Sequence, residues 1–429
     1  MTHRIDRRQF LMGTTALMAA SAAGIRPGFA QASGLRLTFW GSQKRADLTY
    51  QATDLFEKKG GAHIDGEFLA WNDYWPKLAT QVAGGNAPDV IQMDYRYIVE
   101  YADRQAIAPL DEFVGKALQI GDFDQDQVDG GKVNGKLYGV SLGSNSVAMM
   151  VNKAAFEKAG VDLPGPKTTY EDFPKIAEAF EKANVGMKAW ADSSGVEPAL
   201  ENWLRQRGKA LYTADGKLGF DEADMTEWFK MWKDFRDAGV IVSAEDQALD
   251  TGALENTMLA LGKSATLFSN SNQLVAHQAI VKDPLTIANF PRINATSGGG
   301  HYRKPSMFWS IAGSSANKEE AAKFISFFVN DPDAVKALGI ERGVDASKAA
   351  REIVAPTLDA LNKISLDFVA NLGDLAGPIP PSPPAAAGEI DISLLRTTSQ
   401  EVAFGQSAPE DAGPAFVKAA NDILSRATK

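Results

Sequence analysis

The 429-residue chain has no cysteine. Disulfides, thiolate nucleophiles, zinc–thiolate sites and a lipid-modified N-terminal cysteine are therefore excluded. Histidine is nearly as scarce: four in all, of which only His63, His277 and His301 lie beyond residue 30. None has metal-ligand spacing, and no phosphate cradle of the form GxxxxGK followed by Ser or Thr is present, so no metal or cofactor is expected. Basic charge is short as well. Lys and Arg number 44 against 54 Asp and Glu, net −10, which argues against nucleic acid as a partner. No segment supplies the ~20 consecutive apolar residues that a membrane span needs. What remains is an ordinary globular composition, 45% hydrophobic and 23% charged, in a chain long enough for two cores.

The N-terminus has the layout of a targeting segment. Arg4, Arg7 and Arg8 precede an apolar run, Phe10-Leu11-Met12 and Ala16 to Ala20, and small-x-small patterns end near Ala30 or Ala32. Arg7-Arg8-Gln9-Phe10-Leu11 resembles the twin-arginine export signal. An uncleaved anchor is the competing reading, but the run is short and alanine-rich. Export to the periplasm with removal of residues 1–30 is the expectation. The remaining chain then carries 40 basic and 53 acidic residues, net −13.

Beyond it, strand and helix patterns alternate. Leu35 to Trp40 reads as a strand, Ala46 to Lys59 as a helix with Leu48, Ala52, Leu55 and Phe56 on one face, and His63 to Leu69 as a second strand. A helix over Asn72 to Val82 and a strand over Val90 to Met93 complete βαβαβ, the pattern of a parallel sheet. Its loops after Trp40 and Met93 fall at one end, where open α/β sheets bind ligands. Gly130 to Ser141 is a glycine-punctuated hairpin feeding a strand, and a crossing between domains is placed near residues 141–146. A second βα alternation follows, with strands over Ser146 to Val151, Gly186 to Ala191, Ser264 to Phe268 and Leu285 to Asn289. Met307 to Ile311 returns as a strand, and Pro378 to Pro384 is a proline-rich connector.

Several stretches carry a family resemblance. They are Phe39-Trp40-Gly41, Ala79 to Asp94 with its Gly-Asn-Ala-Pro-Asp-Val core, and Asn134 to Val140 followed by Met150 to Lys153. Asn317 to Phe324, Arg342-Gly343-Val344 and Ser407 to Ala412 continue the order along about 380 residues. The sequence is similar to extracellular solute-binding proteins of the maltose-binding type, the sugar receptors of ABC importers. Ser141 departs from it, standing where that family most often has proline. The resemblance implies a type II periplasmic binding protein, an α/β clamp of two lobes closing on a ligand by hinge rotation. The expected lobes are residues 33–141 with 305–345 and residues 142–304 with 346–429. It further implies a monomer that delivers a sugar or oligosaccharide to membrane permease subunits and performs no chemistry.

Sugars present apolar C–H faces and hydroxyl rims, so aromatic platforms and planar polar groups are the side chains to seek. Trp40, Trp71, Tyr74, Tyr95, Trp190 and Trp309 are candidate platforms, with core packing the competing role for Trp309. Ser42 and Gln43 follow the first strand at a helix start, and Asp94 follows the third, where it has either a ligand or Arg96 as partner. By the resemblance, Asn145, Asp192 and Asn270 face the cleft from the second lobe, and Arg342 lies in a loop that touches ligand or forms a salt bridge. Lys44, Arg45, Arg96 and Arg342 leave room for an acidic sugar. The alternative is a secreted carbohydrate-active enzyme. Gly139-Val140-Ser141-Leu142-Gly143 fits GxSxG, but Ser146 to Met150 beyond it is strand-like, and no nucleophile elbow is expected.

Overall fold

A computed structural model describes residues 34–427 except 251, 252, 382, 385 and 386. The targeting segment expected at residues 1–30, with its cleavage sites, lies outside the described residues. Strand β1 (Gly34–Trp40) runs parallel to β2 (His63–Leu69) and to β3 (Val90–Met93). The intervening helices Gln43–Lys58 and Trp71–Ala83 are the expected crossovers. Ser42 caps the first of them, its side chain accepting the Arg45 amide at 3.2 Å.

The glycine-punctuated stretch forms a hairpin of β4 (Lys132–Val133) and β5 (Lys136–Leu137), turned at Asn134 and Gly135, which both adopt positive φ. Next come β6 (Val140–Ser141), β7 (Ser144–Asn145) and β8 (Val147–Asn152). The chain then builds the second half around β9 (Thr266–Asn270) and β10 (Leu285–Ala288), before β11 (Lys304–Pro305) and β12 (Phe308–Ile311) lead back. The first sheet has the order β2-β1-β3-β12-β6, with β12 antiparallel to both its neighbours.

The second sheet, β10-β8-β9, departs from the expected βα alternation, because β8 is antiparallel to both neighbours. Gly186 to Ala191 is not a strand in it either. That stretch makes only isolated bridges, Lys188 to Ser264 and Trp190 to Ile241. β8 is buried along its whole length, and its two faces serve different cores. Val147, Met149 and Val151 join the large core of Trp190, Trp203, Trp228 and Trp232, whereas Met150 packs with Leu259, Leu274 and Leu285. The first sheet has its own core around Phe39, Ile91, Phe308, Trp309 and Phe324.

Three passages of chain meet between the halves. Ser144 and Val344 exchange backbone hydrogen bonds of 2.7 and 2.9 Å, and β7 pairs with β11 beside them. Gly143 (φ 154°) and Gly343 (φ 109°) sit at this junction. A Cβ on Gly143 would lie 2.9 Å from the Arg342 carbonyl oxygen, so only glycine allows the passages to approach so closely.

Candidate functional site

The first wall is built from the ends of β1 and β3. Gln92, fully buried, ties these strands together: its Nε2 donates to the Trp40 carbonyl at 3.0 Å, and its own carbonyl accepts the Tyr74 hydroxyl at 2.6 Å. Trp40 and Tyr74 are therefore core side chains, at 7% and 0% exposure. They back Trp71, which stands 40% exposed with its ring edge-on to Trp40 at 5.1 Å. Of the three, Trp71 has the surface a platform needs. Ser42 and Gln43 are exposed beside it, and Gln43 donates to Asp47 at 2.7 Å.

Asp94 accepts the Arg96 amide at 2.8 Å, a backbone turn rather than a side-chain ion pair. Tyr95 reaches the other way, donating its hydroxyl to the Pro380 carbonyl at 2.7 Å. It thus lines a groove of about 950 Å³ between the β3 loop and the proline-rich connector.

Two candidates belong to the interior of this half. Trp309 is fully buried, edge-on to Phe39 and Phe328. Arg342 is 5% exposed, with Nη2 on Thr49 at 2.8 Å, Nε on Gln92 at 3.3 Å, and the rings of Phe39, Trp309 and Phe328 around its guanidinium. Burial pushes its pKa down to about 9. It props the strand ends from behind and presents no charge to a ligand.

In the second half, Trp190 is fully enclosed, stacked on Phe173 at 3.8 Å with its indole N–H on the Phe173 carbonyl. The expected platform is a core residue, because the segment carrying it lies under the helix Phe173–Lys182. Asp192, just beyond, lines a cavity of about 440 Å³. It too is committed: Oδ1 accepts the Ser194 amide and hydroxyl at 2.9 and 2.7 Å, and Oδ2 pairs with Arg236. Trp228 adds an indole bond to the Ser194 carbonyl at 2.9 Å. Asp192 therefore shapes a rigid polar loop that opens the helix Glu197–Gln206.

That cavity draws on distant segments: Glu197, Ser269 and Gln273, His277, Asp391 and Arg396. Glu197 and Asp391 both belong to its wall, and burial, followed by the charge of Asp391, holds the Glu197 pKa well above the usual range. Asp391 is raised by burial too, partly offset by Glu197 and by Arg96, whose guanidinium comes from the β3 side. This acts across the gap between the halves. Asn145 and Asn270 meet in an adjoining cavity of about 190 Å³, which shares Gln273 with the larger one.

Sequence reasoning missed Glu197, Gln273, His277, Asp391 and Arg396. The start of Glu197-Pro198 after a small, polar loop was a usable signal for the first; the rest have none, because their partners are remote in sequence. The nucleophile-elbow reading finds no support in this geometry. Ser141 is 2% exposed on β6, donating to Gln127 at 2.9 Å. Among the described residues no cluster of metal-ligating side chains is present and no helix is long and apolar enough to cross a membrane.

Residues 51–344 match the family model for bacterial extracellular solute-binding proteins. A solved family 1 extracellular solute-binding protein of Alicyclobacillus acidocaldarius is 33% identical, covering 91% of this chain and 98% of its own, with a TM-score of 0.81. An oligogalacturonide-binding protein of Yersinia enterocolitica shares the fold at 21% identity over 92% of this chain and all of its own, TM-score 0.78. A carbohydrate ABC transporter substrate-binding protein of Streptococcus pneumoniae is 26% identical over 316 residues, 68% of this chain. The match spans 60% of the length of that relative.

Proposed function

Because the chain belongs to the bacterial extracellular solute-binding protein family, we propose that it is the capture component of an ABC importer, holding a sugar or oligosaccharide between two lobes. The lobes are residues 33–141 with 305–345 and residues 142–304 with 346–429. The observation that carries the reading is the 440 Å³ cavity, whose wall offers Glu197, Asp391, Gln273, Ser269 and His277 to a ring of hydroxyls. From the first lobe, Trp71 would serve as the apolar platform and Ser42, Gln43 and Asp94 as polar contacts, with Asn145 and Asn270 extending the site toward the crossing. The protein binds and releases its ligand unaltered, as a monomer, and hands it to permease subunits. It works in the periplasm after twin-arginine export and loss of its first 30 or so residues. Neutral oligosaccharides incubated with the purified protein should raise its melting temperature and be recovered intact by chromatography, since a ligand of the folded state stabilises it by mass action. Turnover of the saccharide would overturn the reading.

A further inference from the structure

Three depressions follow one another across the molecule. The cavity of about 440 Å³ and the adjoining one of about 190 Å³ share Gln273. Tyr302 lines the second, and the Arg205 guanidinium lies 4.8 Å over its ring while donating to the Pro378 carbonyl at 2.8 Å. Pro378 in turn belongs to the wall of the groove of about 950 Å³ that Tyr95 lines. One side of that groove is the segment after β3 with the β4–β5 hairpin. The other is Ala214, Gly216 and the proline-rich connector, so both halves of the chain enclose it.

An aromatic surface leads into the groove from the exposed platform. Trp71 lies 6.5 Å from the Tyr97 ring, and Trp75 sits between them, 5.4 Å from Trp71 and 4.0 Å from Tyr97. Tyr97 is half-buried and lines the groove with Val99, which is 39% exposed on the helix Ile98–Asp103. Facing them, Ile379, Pro380 and Pro381 form an apolar wall stiffened by proline. The carboxylates along the groove are committed: Glu100 pairs with Arg104 at 2.7 Å, Asp126 with Arg303 at 2.7 Å and Asp129 with Lys132 at 2.8 Å. Arg96 and Asn134 stand exposed beside the rings as planar donors. Flat apolar faces edged by planar polar groups fit the C–H faces and hydroxyl rims of sugar rings. The groove alone lies at the upper end of the about 300–1,000 Å³ of pockets that hold a small ligand, so a single sugar in the 440 Å³ cavity leaves it unused.

Resting on the reading above, we propose that the groove is an extension subsite for the same ligand, and that the protein captures a linear oligosaccharide longer than a disaccharide. The far end of the sugar chain lies between Tyr97 and the proline-rich connector, with Tyr97 as the second aromatic platform after Trp71. Each further sugar placed on a ring adds stacking and desolvation, so affinity climbs with chain length until the groove is filled.

Titration calorimetry on the full mature chain tests this with malto-, xylo- and galacturono-oligosaccharides, each as the disaccharide and the tetrasaccharide. In whichever series binds, the tetrasaccharide should bind at least about tenfold more tightly than the disaccharide. Val99→Trp fills the groove from an exposed position. It should cost the tetrasaccharide about tenfold and leave the disaccharide within about twofold. Tyr97→Ala should act in the same way, and the chain-length series on the unmodified protein decides the matter even if that variant does not fold. Equal affinity for disaccharide and tetrasaccharide would overturn the extension subsite while leaving the receptor reading intact. A tetrasaccharide preference that Val99→Trp leaves unchanged would put the additional sugars outside the groove and overturn it as well. Binding of no saccharide in any series would overturn both.

Discussion

His301 and Asp345 lie at the chain crossing and respond to acid in opposite directions. His301 is fully buried, and burial pulls its pKa down to about 4. Between the unfolded value of ~6.5 and about 4 the unfolded chain therefore binds more protons, so acidification through that window removes stability, at most about 3 kcal/mol. Asp345 is pushed up to about 7 by burial, with Oδ2 unpartnered, although its residue is only partly covered. Here the folded state holds the extra proton, and stability falls as pH rises from about 4 to about 7. The two slopes oppose each other over nearly the same interval. Asp345→Asn should remove the second, giving a protein more stable than the parent at pH 7 and steeper in its loss between pH 6.5 and 4. Urea midpoints across that range check it; parallel curves for the two proteins would rule out the assignment.

At the scale of elements, Trp71 opens the helix Trp71–Ala83 with its ring backed by Trp40 and its outer face open. Trp71→Ala should weaken saccharide binding about tenfold or more while changing stability by under ~0.5 kcal/mol, since surface truncations cost little. Calorimetry beside thermal unfolding separates the two effects; a large stability loss with unchanged affinity would make Trp71 a packing residue. Periodicity made the first sheet legible, because β1 and β3 are short apolar runs joined by amphipathic crossovers. It could not reveal the antiparallel second sheet, since β8 is apolar on both faces and reads alike in either direction. The sequence pointed to Asp192 and Asn270 but could not show that Asp192 is already bonded to Arg236. Aromatic character alone also could not separate Trp71 from Trp190 and Trp309, which differ only in how they pack. Glu197 and Asp391 are 194 positions apart, so no local pattern joins them.

For the molecule as a whole, the crossing is thin: Ser144 and Val344 bridge at two glycines that permit unusual backbone angles. Arg303 and Arg351 both hold Asp124 there, at 2.8 and 2.9 Å, so the junction is fixed by charge while the lobes remain separate cores. Closure then depends on weak contacts away from the junction. The proline-rich connector supplies one, held by Arg205 on the Pro378 carbonyl at 2.8 Å and by Tyr95 on that of Pro380. Because Tyr95 follows β3 and Arg205 lies on a second-lobe helix, this strap ties one lobe to the other. One such hydrogen bond contributes about 1 kcal/mol net, or roughly fivefold in an open–closed equilibrium. Tyr95→Phe should therefore lower saccharide affinity about fivefold and enlarge the unliganded protein in small-angle scattering, while saturating ligand restores the compact form. Identical scattering profiles for both proteins, with and without saccharide, would show that the strap does not bias closure and that the lobes do not move as a clamp.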